Sequence, residues 1–135
     1  MTDERTHPAL TPLLKRQILQ QARANPDREV CGLIAGYGNR FTGIYPVRNV
    51  AEDPSRRFLL DAEEQIAAMR DMRQKQQELL GIYHSHPCTT AEPSETDRNF
   101  AAYPGVYYVI VSLLNNRANI RMYYYDGHSF IRVDN

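Results

Sequence analysis

The sequence predicts a single α/β domain in which a mixed β-sheet is sandwiched by helices packed on it. Three observations predict this. The chain has 135 residues, the size of one domain. Helical and strand periodicities are interspersed along it, with tight-turn hairpins near both ends. Hydrophobic residues make up 42% and charged residues 24%, which suits a packed core and excludes a disordered or fibrous protein. A chain of this length buries roughly two-thirds of its unfolded surface and needs no disulfides. No composition shift, repeat or low-complexity tract divides it, so residues 1–135 read as one domain with a flexible tail over 1–8.

The elements follow from local chemistry. Thr11-Pro12 pairs an N-cap with proline at the first helical position. Leu14, Ile18 and Ala22 then recur at i+4 until Asn25-Pro26 ends the helix. The apolar run Val30 to Tyr37 turns at Gly38-Asn39 into Phe41 to Val50, a hairpin pattern. Asp61 with Glu64 resembles a capping box, and Ile66, Met69 and Met72 supply an apolar stripe for a second helix to about Gln77. The short run Leu79 to Tyr83 reads as a central strand. A loop from Pro87 to Pro93 leads to a third, short helix from Ser94 that ends before Pro104-Gly105. Val106–Leu114, Asn119–Tyr125 and Ser129–Val133 are strands separated by Asn115-Asn116 and Asp126-Gly127.

Charge narrows the function. Sixteen Lys and Arg balance sixteen Asp and Glu, so a nucleic-acid-binding surface is not expected. The longest apolar stretch, Val106 to Leu114, falls short of the ~20 residues a membrane span needs. The polar opening residues lack the apolar centre of a secretory signal, so the expected location is the cytoplasm. Cys31 and Cys88 form no C-x-x-C pair and read as a buried thiol and a loop thiol. The tyrosines 107, 108 and 123–125 read as sheet packing, Arg56 and Arg57 as a charged rim, and His7 and His128 as tail and turn residues. Nothing in the sequence signals an oligomeric state.

The chemistry concentrates where the central strand runs out. His84 and His86 stand at i and i+2, so both imidazoles project from one face while Ser85 turns away. An H-x-H pair alone is equally consistent with surface or core histidines, and Ser94-x-x-Asp97 alone is an ordinary capping box. Together they place two imidazoles and a returning carboxylate, Asp97, near one point. Three protein ligands leave a tetrahedral ion one open position, the arrangement of a catalytic zinc. Capping and metal binding compete for the oxygens of Asp97. Cys88 is a bystander near the rim, and the H-x-E and P-C-x-x-C ligands of zinc deaminases are absent.

His84-x-His86, seven residues (87–93), Ser94, two more and Asp97 is similar to the signature of the JAMM/MPN zinc metalloproteases, and the chain resembles their compact prokaryotic branch. That family carries an upstream glutamate at a strand start, and Glu29 in Arg28-Glu29-Val30-Cys31-Gly32 stands in a matching setting. The resemblance implies an MPN-like (cytidine-deaminase-like) sandwich in which His84, His86 and Asp97 bind Zn2+. It implies Glu29 as the general base that later protonates the leaving amine, and Ser94 as donor to the developing oxyanion. It further implies hydrolysis after the C-terminal glycine of a ubiquitin-like or sulfur-carrier protein, with release of cysteine or another amino acid from the carrier's tail. That tail can enter by strand addition at a sheet edge.

Two alternatives come from other classes. One is a non-catalytic MPN-type binding module for a ubiquitin-like partner, which would hold no stoichiometric zinc. The other is a two-histidine, one-carboxylate iron oxygenase, which the spacing and the serine fit poorly.

Overall fold

The computed structural model describes residues 6–133. Its elements are α1 (Pro12–Ala24), β1 (Cys31–Tyr37), β2 (Arg40–Val47), α2 (Ala62–Gln74), β3 (Glu78–His86), α3 (Glu95–Phe100), β4 (Tyr107–Ser112), β5 (Asn119–Tyr125) and β6 (Phe130–Val133), with a 3-10 turn at Leu114–Asn116. The strands form one sheet in the order β2-β1-β3-β4-β5-β6. Every neighbouring pair is antiparallel except β3 and β4, which run parallel. This is the expected mixed sheet, and α3 lies in the crossover that a parallel pair requires.

Strand alternation sorts the core into two layers. Ile34, Tyr83, Val109, Val111 and Met122 pack with Leu14, Ile18 and Ala22 of α1. Leu33, Ala35, Ile82, Tyr108 and Tyr125 pack with Ala68 and Met72 of α2. Gly32 has a steric reason to be glycine. A Cβ there would stand 2.4 Å from the ring of Tyr83, which crosses over it from the neighbouring strand.

Helix caps form as the sequence indicates, with one revision. The Thr11 side chain accepts from the Leu14 amide and Asp61 from the Glu64 amide. Glu64, however, does not close a capping box, because its carboxylate accepts from the Arg48 amide instead. The expected stripe of α2 is also shifted. Ala68 and Met72 are buried, whereas Ile66 is exposed because it faces away from the sheet.

Most of the tail expected over residues 1–8 lies outside the described residues. Within them, His7 Nδ1 hydrogen-bonds the Tyr107 hydroxyl at 2.8 Å, a partner not visible in the sequence. Among the described residues, no helix is long and apolar enough to cross a membrane.

Candidate metal centre

Strand β3 splits its last residues between the two layers. Tyr83 belongs to the α1 side and Ile82 to the α2 side. His84 and His86 share the parity of Ile82, so their rings face the α2 and α3 side. Both are buried, and β3 is flanked by β1 from Glu78 to His84 and by β4 from Gly81 to His86. Cys31 and Ile110 are the register partners of His84, and Ser112 is that of His86.

The short helix α3 returns the carboxylate. Ser94 caps it, accepting at Oγ from the Asp97 amide (3.0 Å), while Asp97 Oδ2 accepts from the Ser94 amide (2.9 Å). That same Oδ2 lies 3.1 Å from the Nε2 atoms of both His84 and His86, which stand 3.2 Å apart. Capping the helix and facing the two imidazoles do not compete, because one oxygen, Oδ2, makes both sets of contacts. Ligands of a tetrahedral zinc at 2.0–2.1 Å stand about 3.3–3.4 Å apart, so this triangle of two imidazoles and a carboxylate fits such an ion closely.

Glu29 completes the cluster: donor atoms of Glu29, His84, His86 and Asp97 all lie within 4.8 Å of one another. It precedes β1, held by its amide donating to the Pro54 carbonyl (2.7 Å) and its carbonyl accepting from Asn49 Nδ2 (2.9 Å). Its Oε1 is buried and meets no hydrogen-bond partner among the described residues. An orphaned carboxylate oxygen beside three converging donors fits a place for a cation.

The electrostatics agree. Burial raises the Glu29 carboxyl to about 8, with His86 opposing and Asp97 and Asp53 adding to the rise. Burial alone would also raise Asp97. The charge of His84 and hydrogen bonds from His84, His86 and the Ser94 amide outweigh it and hold this carboxyl well below the ordinary range. Burial lowers His84 below the usual imidazole value. In His86 burial is outweighed by hydrogen bonds to Asp97 and the Thr90 carbonyl, and the ring is raised.

The two histidines are oriented differently. His86 Nδ1 donates to the Thr90 carbonyl at 2.7 Å, leaving the Nε2 lone pair toward the cluster. The loop carrying Thr90 is pinned by Ser112 Oγ donating to the Thr89 carbonyl (2.5 Å) and by the Tyr123 hydroxyl donating to the Ala91 carbonyl (2.7 Å). His84 Nδ1 has no such partner among the described residues, and its ring stacks on Phe58 at 4.4 Å between centroids.

Cysteine takes no part in the cluster. Cys31 lies beside His84, but its thiol donates to the Val47 carbonyl, and burial together with the charges of Glu29 and Glu64 pushes it up to about 12. Cys88 is exposed and outside the cluster.

A cleft of about 690 Å³ opens onto His84 and Asp97. One wall is the segment from Val50 to Leu60, including Arg57 and Phe58, and the other is Phe100 to Tyr103. Leu59 and Phe100 are exposed at its mouth. Asn49, Phe58 and Thr90 are the contributors that the sequence reading missed. Asn49, expected within the second strand, lies beyond its observed end at Val47 and bridges Leu60; Phe58 sits in irregular chain, and Thr90 acts through its backbone.

The family model described as prokaryotic homologues of the JAB domain matches residues 12–124. This chain belongs to that family. Among its relatives, a desampylase of Haloferax volcanii is 39% identical over 93 residues, 67% of either chain. A CysO-cysteine peptidase of Mycobacterium tuberculosis is 34% identical over 114 residues, covering 82% of this chain and 77% of the relative. A solution structure from Desulfitobacterium hafniense matches with a TM-score of 0.77 at 28% identity, over 96% of this chain and 90% of that one. A JAB1/MPN domain protein of Archaeoglobus fulgidus shares the fold, with a TM-score of 0.59 at 19% identity over 98% and 95% of the two chains. The MPN-like architecture expected for this JAB-family chain is thus the one it has.

Proposed function

We propose that this chain is a zinc-dependent metallopeptidase that cleaves after the C-terminal glycine of a ubiquitin-like or sulfur-carrier protein, releasing cysteine or another amino acid from its tail. The observation that carries the reading is the 3.1–3.2 Å triangle of His84 Nε2, His86 Nε2 and Asp97 Oδ2 with the buried, unpartnered Oε1 of Glu29 beside it. The relatives named desampylase and CysO-cysteine peptidase support the substrate class.

His84, His86 and Asp97 would hold the ion, and zinc in such a site supplies Lewis-acid activation of water near neutral pH. Glu29 takes the proton of the attacking water and returns it to the departing amine. Burial raises this carboxyl in the metal-free fold, and the charge of a bound cation would lower it again toward the ionised form that a base requires. Ser94 is free to act as a donor. Its oxygen accepts from the Asp97 amide, so its hydroxyl proton remains available for the carbonyl oxygen under attack. The cleft beside His84 and Asp97 is where the carrier's extended tail would lie. The intact donor set with its adjoining base favours an enzyme over a binding module.

The test incubates zinc-loaded protein with ubiquitin-like carriers bearing C-terminal extensions and reads the products by mass. The expected product ends at the carrier's terminal glycine, disappears on chelation and returns with zinc. No cleavage by loaded protein, or cleavage indifferent to chelation, rejects the reading.

A further inference from the structure

His84 and His86 face the same cation position with unequal support. A metal-binding imidazole is ordinarily aimed by a hydrogen bond at its second nitrogen, which fixes both tautomer and ring orientation. His86 has that bond, to the Thr90 carbonyl. His84 is fully buried, and its Nδ1 meets no polar partner among the described residues. Its strand neighbours across the sheet, Cys31 and Ile110, offer it no acceptor. What it has is a flat contact: the Phe58 ring lies 4.4 Å away, inclined by 25°.

Phe58 is itself held with care for a residue in an irregular segment. Asn49 Nδ2 donates to the carbonyl of Arg57 (3.0 Å), the residue before Phe58, and Asn49 Oδ1 accepts from the amide of Leu59 (3.0 Å), the residue after it. The same Nδ2 donates to the Glu29 carbonyl at 2.9 Å, and Oδ1 also accepts from the Ala51 amide. One buried amide side chain thus brackets Phe58 and ties its segment to the backbone of Glu29. A fully satisfied buried amide of this kind fixes geometry strongly, because losing any partner strands another polar group.

We propose that Phe58, clamped on both sides by Asn49, is the positioning residue that aims His84 at the metal, the stacked ring replacing the hydrogen bond this histidine lacks. The proposal rests on His84 being a zinc ligand, as the proposed function requires. Its readout is metal affinity, which is measured without any substrate. The planar face is the operative feature, so Phe58→Leu, which keeps apolar cover but loses the flat ring, is the informative variant. Phe58→Tyr keeps the face and is the conservative rescue. Asn49→Ala removes the clamp without touching His84, and the segment keeps its pairing of the Val50 amide with the Leu59 carbonyl.

Zinc affinity is measured by competition with a chromogenic chelator for the wild type, the three single variants and the double variant N49A/F58L. The cobalt(II) d–d spectrum of each reports ligand geometry. Phe58→Leu is expected to bind zinc about tenfold more weakly, the scale of losing an outer-shell partner, with an altered cobalt spectrum. Phe58→Tyr is expected to match the wild type in both. Asn49→Ala is expected to weaken zinc in the same direction, and the double variant to be no weaker than Phe58→Leu alone, since both act through one contact. Wild-type affinity in Phe58→Leu, or equal loss in Phe58→Tyr, overturns the role of Phe58. Should Phe58→Leu fail to fold, wild-type affinity in Asn49→Ala overturns the proposal in its place. Additive losses in the double variant overturn the clamp. A wild-type protein that binds no zinc rejects the metallopeptidase reading itself, a different outcome from variants that bind as well as the wild type.

Discussion

The two faces of the sheet use alternate residues of the same strands, yet among the described residues the buried side-chain polar atoms left without a partner all lie on one of them. On the α1 face the Tyr83 hydroxyl donates to Gln21 Oε1, Gln21 Nε2 donates to the Cys31 carbonyl, and Ser85 Oγ accepts from the Val30 amide. On the α2 and α3 face lie Glu29 Oε1 and His84 Nδ1, both buried and both without a partner among the described residues. Buried polar groups are normally paired, since leaving one unmade costs about 1–3 kcal/mol. The α1 face is therefore finished as a scaffold, while the opposite face keeps unspent hydrogen-bonding capacity around one point. Tyr83 and His84 are sequence neighbours, and one residue of pleat separates structure from chemistry.

That contrast can be broken from the reactive side first. Glu29→Gln keeps the size of the side chain and removes its basicity. It is expected to lower turnover by about 10²- to 10⁴-fold, the range for a general acid-base group, while zinc binding measured by chelator competition persists. Near-wild-type turnover would reject Glu29 as the base. Ser94→Ala is expected to cost about 10²- to 10³-fold in kcat with KM little changed, as for loss of one oxyanion donor. It also removes the cap of α3, so metal content must be checked beside the kinetics.

Acid titration sharpens the comparison in chelated protein. The Glu29 carboxyl is raised from 4.5 to about 8 in the fold, so the folded state binds the extra proton between these values. Its contribution to stability is complete below about 4.5 and lost as pH rises through about 8. Urea denaturation of chelated protein should therefore show wild type losing a few kcal/mol relative to Glu29→Gln across that window; parallel curves would contradict the burial argument. The smallest effect belongs to the scaffold side. Gly32→Ala forces a methyl against the Tyr83 ring and should destabilise by about 1–3 kcal/mol. The zinc affinity of the folded fraction should not move. A drop in that affinity would mean the faces are not independent.

Much of this was legible in the sequence, for identifiable reasons. Strand alternation, turn dipeptides and caps are local, so the helices and strands and the shared face of His84 and His86 could be read directly. Spacing brought Ser94 and Asp97 into view as a pair, and the resemblance supplied Glu29 as their distant partner. Dual use of one Asp97 oxygen was not foreseeable, because a capping box and a ligand look the same in sequence. Ile66 was misplaced because α2 turns its Ala68 and Met72 edge to the sheet, which a stripe of large apolar residues does not reveal. Asn49 and Phe58 gave no signal of their roles, since their contacts are made by the tertiary placement of the segment after β2. Thr90 acts through a carbonyl that every residue possesses.

The single parallel pairing has an architectural consequence. A chain leaving β3 cannot turn straight back into β4, so residues 87–106 must travel the length of the sheet before re-entering it. This detour carries Asp97 and one bank of the cleft, and the other bank is the equally irregular stretch after β2. Both banks are connectors. The fold can widen, narrow or re-profile its entrance by remodelling these two spans alone, leaving the hydrogen-bonded ladder beneath the histidines undisturbed.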